Sequence, residues 1–263
     1  MEVIITEEEQ IGSLVADEIQ QLLAGKPEAV LGLATGSSPL HVYDELARRT
    51  AEGEMSFARA RGFTLDEYVG LPSWHPCSYR TVIDEELVSR VDFAPDAVRA
   101  LDGSAADLAE ACAEYERGIE AAGGVDLQIL GIGTDGHIAF NEPGSSFASR
   151  TRVKTLTAQT RRDNARFFGG EVDAVPRHCV TQGLGTIMQA RRIVLIAIGG
   201  GKAEAVHHLV EGAVSAKWPG TILQHHPHVT LVVDEAAASR LQFADYYRYV
   251  YAYRDAVGEA PAA

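Results

Sequence analysis

The sequence predicts an α/β fold with a mostly parallel sheet flanked by helices. Short apolar runs alternate with helical patterns along the chain, no Pro-, Gly- or Ser-rich linker divides it, and no repeat of about 20 to 50 residues is present. Apolar residues make up 46% of the 263 residues and charged residues 23%, the balance of an ordinary globular protein. We therefore expect a single Rossmann-like domain over residues 1–263.

Each strand is predicted from a short apolar run bounded by turn residues. In chain order, the predicted strands cover residues 3–6, 29–33, 62–65, 125–132, 192–198 and 229–233. Because such runs read as buried on both faces, they are typical of parallel strands rather than of a half-exposed antiparallel sheet.

The predicted helices fall between these strands. Thr6 and Glu9 have the spacing of a capping box, and Gly25 is a typical stop for the helix that follows. Ser38 predicts an N-cap with Pro39 at the first helical position of the next helix. Residues 105–119 and 202–210 complete the set. The segment from about 134 to 180 shows little regular pattern and is too long for an ordinary loop, so we expect it to form the active site and a lid.

The net charge of the chain argues against two classes of partner. The net charge of −14 disfavours binding to nucleic acid and to anionic membrane surfaces. Between residues 150 and 166, however, only one acid, Asp163, accompanies six basic side chains, namely Arg150, Arg152, Lys154, Arg161, Arg162 and Arg166. This basic segment indicates a small anionic ligand, although a solvated charged face is the more common explanation of such runs.

The three cysteines, Cys77, Cys112 and Cys179, form no C-x-x-C pair and predict neither a disulfide framework nor a zinc site. Neither a signal peptide nor a membrane-spanning apolar run is recognisable. We expect a cytoplasmic protein.

Two glycine-rich segments lie where a strand meets a helix. Residues 32–39 and residues 199–202 both present free backbone N–H groups at a helix start, where an anion binds well. Lys202 adds a positive charge to the second. A tight turn and an exposed lysine are the alternative explanations.

Two acidic segments also follow predicted strands. Asp66 and Glu67 come directly after an apolar run, where one acid can act as a general base while the alternative is a helix cap. Asp135, His137 and Glu142 lie within a glycine-rich loop, an arrangement suited to proton transfer. Although Gly131, Gly133 and Gly136 match G-x-G-x-x-G, Pro143 and the basic residues beyond it argue against a dinucleotide site.

Other chemistries are poorly supported. The histidine pairs lack metal-binding spacing, no H-E-x-x-H motif occurs, and no G-x-S-x-G nucleophile elbow is present. The combination of anion loops, an acid and an acid–His–acid cluster favours proton-transfer chemistry on a small phosphorylated metabolite.

Four segments, LGLATGSSPLHVYDEL, FTLDEYVGLP, LGIGTDGHIAFNEPGSSFASRTRVKTL and TRRDNARFF, resemble the glucosamine-6-phosphate deaminase family. The resemblance implies conversion of glucosamine 6-phosphate and water to fructose 6-phosphate and ammonia without a metal or cofactor. By motif, Asp66 resembles the base that moves the C2 proton to C1, and His137 the group that opens the sugar ring, with Asp135 and Glu142 as supporting acids. The positions resembling the substrate phosphate site are Gly36, Ser37, Ser38, Arg166 and Lys202.

The resemblance also implies regulation. Longer members of the family are hexamers activated by N-acetylglucosamine 6-phosphate, and the matching positions here are Ser145, Arg152, Lys154 and Thr155. A homo-oligomer, and among oligomers a hexamer, is therefore favoured. Ala34, Ser37 and Ser38 depart from the family's usual phosphate loop, and the tyrosine-rich C-terminal segment has no secure match. Galactosamine-6-phosphate deaminase, 6-phosphogluconolactonase and a non-catalytic sugar-phosphate sensor remain alternatives.

Overall fold

A computed structural model describes residues 1–254, which form two β-sheets and the helices around them. The strands are β1 (Glu2–Ile5), β2 (Val30–Leu33), β3 (Arg61–Thr64), β4 (Asp66–Tyr68), β5 (Val98–Arg99), β6 (Leu127–Leu130), β7 (Arg152–Thr155), β8 (His178–Thr181), β9 (Arg192–Ala197) and β10 (Val229–Val233). The helices are α1 (Glu8–Gly25), α2 (Leu40–Ala51), α3 (Tyr79–Glu86), α4 (Leu108–Ala121), α5 (Ala158–Asn164), α6 (Leu184–Ile187), α7 (Ala203–Glu211), α8 (Glu235–Ala238) and α9 (Ala244–Ala252). Short 3₁₀ turns at Ala165–Phe168 and Gly200–Lys202 flank the cavity described below.

The large sheet confirms the predicted fold class. Its seven strands run in the order β1-β10-β9-β6-β2-β3-β5, and every pairing is parallel. All side chains of β2 and β6 are buried, as expected for parallel strands covered on both faces. The six predicted strands are present, and β10 has the predicted bounds. No helix in residues 1–254 is long and apolar enough to span a bilayer.

The sequence did not predict the second sheet, in which β8 pairs antiparallel with both β4 and β7. The expectation of an irregular segment at 134–180 is therefore wrong in part, because this segment contains β7, α5 and the start of β8. β7 escaped prediction because its sequence, RVKT, has no apolar periodicity, and its two outward residues are exposed. Its backbone is ordered by pairing with β8 instead.

The predicted caps of the first two helices are wrong. α1 starts at Glu8 after an extended Glu7, and the Thr6 hydroxyl bonds the Gln10 side chain at 2.5 Å rather than the helix backbone. α2 starts at Leu40 with Pro39 in the position before it, so Ser38 does not cap the helix. The loop before α2 thus runs one residue further than predicted, which leaves Ser38 against the cavity.

Candidate active site

A cavity of about 430 Å³ lies at the carboxyl ends of the parallel strands. Its walls come from residues 34–40 after β2, residues 65–68 after β3, residues 131–140 after β6, and the 3₁₀ turns around Arg166 and Lys202. All four segments singled out in the sequence therefore contribute to one cavity, as the location of ligand sites in open α/β sheets predicts.

Strand alternation separates the two adjacent acids. Asp66 and Tyr68 both line the cavity, whereas Glu67 lies between them on β4 and projects from its other face. Asp66 is only 7% exposed. Burial, reinforced by the nearby charge of Glu67, raises the pKa of Asp66 to about 8. A carboxyl group in this state binds a proton far more strongly than an exposed one, as a base acting on a weakly acidic C–H must.

Glu67 caps the following helix, which was the alternative role expected for one of the two acids. Its two carboxylate oxygens accept hydrogen bonds from the backbone N–H groups of Tyr68, Tyr79 and Arg80 at 2.8, 3.1 and 3.0 Å, and from the Ser78 hydroxyl at 2.7 Å. The acceptor-only pattern is that of an ionised carboxylate. Glu67 thus fixes the start of α3 against β4 and places its charge beside Asp66.

The predicted acid–His–acid cluster is assembled. His137 Nδ1 lies 2.7 Å from Asp135 Oδ1 and 3.5 Å from Glu142 Oε2. Burial of the ring opposes its positive charge, but the two carboxylates outweigh burial and raise the pKa of His137 to about 9. Burial likewise disfavours the charged form of Asp135, yet His137 lowers the pKa of Asp135 to about 2. The backbone N–H of Thr157 holds the other oxygen of Glu142 at 2.9 Å.

Glycines are required where the His137 ring packs against its own loop. A Cβ at Gly133 would lie 2.4 Å from Cε1 of the ring, and a Cβ at Gly136, whose φ is +80°, would lie 2.6 Å from the Trp218 ring. Ala139, which lines the cavity, has a φ of 48°, uncommon outside glycine. The loop therefore holds the imidazole in a position that ordinary side chains would block.

The same three side chains have the composition of a small metal site. One ligand atom each from Asp135, His137 and Glu142 lie within 4.8 Å of one another. A metal would need Nδ1 of His137 to be deprotonated, whereas the two carboxylates favour the imidazolium. These three side chains thus favour a protonated His137 over a bound metal ion. The expectation that no metal takes part stays a prediction.

The predicted phosphate-binding residues line the same cavity. Gly36, Ser37 and Ser38 form the loop into α2, and Gly36 has a φ of +98° that leaves its backbone free to turn. Burial, and then the charge of Arg166, lower the pKa of Lys202. A bound anion would reduce the repulsion between these two positive charges, so together they form a suitable anion site.

The sequence did not single out Asp163 and Thr134 as residues that line the cavity. The Thr134 hydroxyl donates to Asp163 Oδ2 at 3.0 Å, which joins the His137 loop to α5. It also missed the contacts of Tyr68, whose hydroxyl lies 3.2 Å from that of Tyr79 and accepts from Asn164 at 2.9 Å. The only signal in the sequence is that Asp163 is the single acid in the basic segment.

The basic segment does not act as one surface. Arg150 pairs with Glu116 of α4, and Arg161 donates to the backbone at Val172 and Val175. Of the six basic side chains between residues 150 and 166, only Arg166 is among the residues that line the cavity.

Three of the four residues matched to an effector site lie on β7, and Ser145 lies in the loop that follows Glu142. Arg152 and Lys154 share one face of the strand and Thr155 lies on the other. Arg152 donates to Asn141 Oδ1 at 2.9 Å, and Thr155 contacts His178 at 3.1 Å. Ser145 is only 2% exposed, and its hydroxyl donates to the Glu142 carbonyl at 2.6 Å. The Ser145 hydroxyl is therefore already engaged, and the structure leaves the effector role of the four residues untested.

Comparison with known proteins agrees with this site. The family model described as glucosamine-6-phosphate isomerases/6-phosphogluconolactonase matches residues 7–232. Glucosamine-6-phosphate deaminases of Beutenbergia cavernae and Mycolicibacterium smegmatis are 72% and 69% identical, each over 95% of this chain and 96% and 97% of their own.

Solved structures show the same fold. A glucosamine-6-phosphate deaminase described as monomeric is 41% identical, covers 91% of this chain and 100% of its own, and superposes with a TM-score of 0.89. A 6-phosphogluconolactonase from Trypanosoma cruzi, 20% identical, covers 92% of this chain and 97% of its own with a TM-score of 0.73 and shares the fold alone. The chain belongs to the glucosamine-6-phosphate isomerase/6-phosphogluconolactonase family.

Proposed function

We propose that the chain is an enzyme that converts glucosamine 6-phosphate and water to fructose 6-phosphate and ammonia. One observation carries the proposal: a buried carboxyl group with a raised pKa, an acid–His–acid cluster and an anion-seeking loop face the same cavity. Relatives up to 72% identical carry the deaminase name, which favours this activity over the lactonase alternative.

Two side chains carry the proton transfers: His137 acts in ring opening, and Asp66 acts in the isomerisation that follows. His137 moves a proton from O1 to O5, which opens the pyranose ring and leaves an aldehyde at C1. Asp66 then removes the C2 proton as O1 gains one, which forms an enolamine, and Asp66 returns its proton to C1. The resulting C2 imine is hydrolysed by water to the ketone and ammonia. Asp135 and Glu142 keep His137 oriented through these steps, and the loop at Gly36 with Arg166 and Lys202 holds the phosphate.

Ammonia release tests the activity and its closest alternative. Glucosamine 6-phosphate and galactosamine 6-phosphate are assayed side by side, and lactone hydrolysis is measured on 6-phosphogluconolactone. We expect ammonia and fructose 6-phosphate from the glucosamine epimer. In D2O, deuterium should appear at C1 in the fraction of turnovers in which the proton on Asp66 exchanges with solvent before it is returned. Faster turnover of the galactosamine epimer would reassign the substrate, and lactone hydrolysis without ammonia would overturn the proposal.

We propose that no metal or organic cofactor takes part. His137 and the three acids already supply the proton transfers that the reaction needs. Exhaustive chelation should leave the rate unchanged. A rate that falls on chelation and returns with one divalent metal would overturn this proposal and make Asp135, His137 and Glu142 the candidate ligands.

We also propose a homo-oligomer, a hexamer being favoured, with an effector site for N-acetylglucosamine 6-phosphate at Ser145, Arg152, Lys154 and Thr155. The proposal is supported by two basic residues on one face of β7 and by the bond from Arg152 to Asn141, next to Glu142. A relative described as monomeric makes oligomerisation a property to be measured for each member.

Substrate saturation curves test the regulation. We expect sigmoidal curves that become hyperbolic with the effector, with about 1 to 3 kcal/mol of coupling. Lys154→Ala should abolish the response, whereas Arg162→Ala, which removes an exposed cation of α5, should keep it. Hyperbolic curves that ignore the effector would refute regulation and leave the deaminase proposal intact.

The remaining expectations concern cellular context. We propose that residues 1–263 form a single catalytic domain that acts in the cytoplasm on a small-molecule substrate, without nucleic acid or membrane partners. The net charge of −14 disfavours binding to nucleic acid and to anionic membranes, and the three cysteines are free thiols, as is usual in reducing compartments.

A further inference from the structure

The outer face of α9 is the largest concentration of exposed aromatic surface in residues 1–254. Nine large apolar or aromatic side chains are exposed in that part of the chain, and five of them lie on α9 or at its ends. We call these five the α9 stripe: Phe243, Tyr246, Tyr249, Val250 and Tyr253, whose exposed fractions are 59%, 61%, 61%, 42% and 56%. None of the five takes part in the proposed reaction.

The α9 stripe is one face of an anchored helix. At about 100° per residue, its five members fall within an arc of about 120°. The opposite face holds Tyr247 and Tyr251, which pack against the core beside β1. The Tyr247 hydroxyl donates to Glu211 at 3.2 Å, and Arg254 lies 3.9 Å from the Tyr251 ring centre. The inner contacts therefore hold the helix in place and present the stripe outward.

The exposed area of the α9 stripe amounts to most of what one partner of a standard protein–protein interface buries. Multiplying each exposed fraction by the full area of that residue gives roughly 560 Å², tyrosine hydroxyls included, at the upper end of the ~300–600 Å² of the largest apolar patch on a typical monomer. A standard interface buries about 800 Å² on each partner. Tyrosine and phenylalanine are also the side chains that interface centres favour. The stripe alone would supply most of one side of a stable dimer.

Its spacing is also nearly symmetric along the helix. If two copies of α9 pack antiparallel about a two-fold axis at position 248, Phe243 faces Tyr253 and Tyr246 faces Val250 of the other copy, while Tyr249 lies beside the axis. A two-fold interface requires such a self-complementary surface. We infer that the α9 stripe is a homodimer interface in which two copies of this chain pack α9 against α9.

The chain's net charge gives the interface a distinctive salt response. Two copies of net charge −14 repel each other, and the stripe itself contains no charged residue. Salt screens the repulsion and leaves apolar burial in place. Association through the stripe should therefore strengthen with ionic strength, whereas an interface held by ion pairs would weaken.

Sedimentation velocity of the full chain over a concentration series tests the inference. We expect a dimer, or a larger assembly with an even number of copies, that Tyr246→Lys with Tyr249→Lys reduces at least about tenfold in association constant. The matched control, Trp74→Lys, charges an aromatic side chain that is 77% exposed elsewhere and should not change association. Thermal melts confirm that each variant is folded.

Cross-linking gives a second readout. Tyr249→Cys should form a disulfide-linked dimer on mild oxidation because the position lies beside the axis, whereas Trp74→Cys should not. A monomeric full chain at all concentrations would overturn the inference, as would association that the double substitution leaves unchanged. Association that appears only after deletion of residues 255–263 would overturn it too. Ammonia release is measured on the same samples, so failure of the interface is distinguishable from failure of the enzymatic proposal.

Discussion

Replacing Asp66 with asparagine should stabilise the folded chain at alkaline pH while removing turnover. The pKa of Asp66 rises from 3.8 to about 8 on folding. Between these values the folded chain keeps a proton that the unfolded chain has released. The unfolded state then binds fewer protons, so the free energy of unfolding falls as pH rises through this window. Asparagine has no charged form and removes this loss.

The size of the effect follows from the shift. About four pKa units at about 1.36 kcal/mol each give roughly 5 kcal/mol as an upper limit. Relaxation and water entry around the charged group reduce this, and we expect about 2 kcal/mol. For a chain of this size, about 2 kcal/mol corresponds to an increase of about 4–8 °C in Tm. The difference should be full at about pH 9, smaller at about pH 6, and nearly absent below about pH 4, where the unfolded chain also keeps the Asp66 proton.

Melting temperatures of the wild type and Asp66→Asn from about pH 4 to 9 measure it. Asp173→Asn is the matched control, because this aspartate is 99% exposed and does not line the cavity. Turnover of Asp66→Asn should fall by roughly 10² to 10⁴. A Tm difference that is the same at every pH would refute the reasoning, since it would mean that Asp66 does not ionise late in the folded chain.

Three further predictions concern the same site. Glu67→Gln removes the charge that adds to burial in raising the pKa of Asp66, so the acid limb of kcat/KM should move down by about one pH unit. Asp135→Asn removes a carboxylate that raises the pKa of His137, so the alkaline limb should shift to lower pH. Gly133→Ala displaces the imidazole and should lower kcat by about 10² while leaving the fold intact, as circular dichroism can check.

The parallel sheet was predictable because each of its main strands is a buried apolar run. β5 escaped because it is only two residues long, and α9 because its tyrosines show no clear apolar side in the sequence. The β4–β8–β7 sheet was out of reach for a different reason. Its pairing of Asp66 with Thr181 joins positions 115 residues apart in the chain, and no local pattern encodes such a contact.

The sequence predicted which residues form the site better than it predicted the role of each residue. Glycines, acids and a histidine at strand ends identified the cavity, but the sequence left open which of two adjacent acids would line it. The geometry of β4 answers this, since alternation directs Asp66 to the cavity and Glu67 to the start of α3. The burial that raises the pKa of Asp66 comes from elements far away in sequence and could not be inferred locally.

The antiparallel sheet connects the proposed effector strand with the proposed base. Arg152 of β7 pairs with Thr181 of β8, which in turn pairs with Asp66 of β4. The Thr181 hydroxyl also accepts a hydrogen bond from the N–H of Phe140, in the loop that carries His137. An anion that moves Arg152 would therefore act, through Thr181, on the strand of Asp66 and on the loop that carries His137. Coupling carried this way requires two arrangements of the sheet with different affinities for the anion. Substrate binding must then change effector affinity by the same factor that the effector changes substrate affinity.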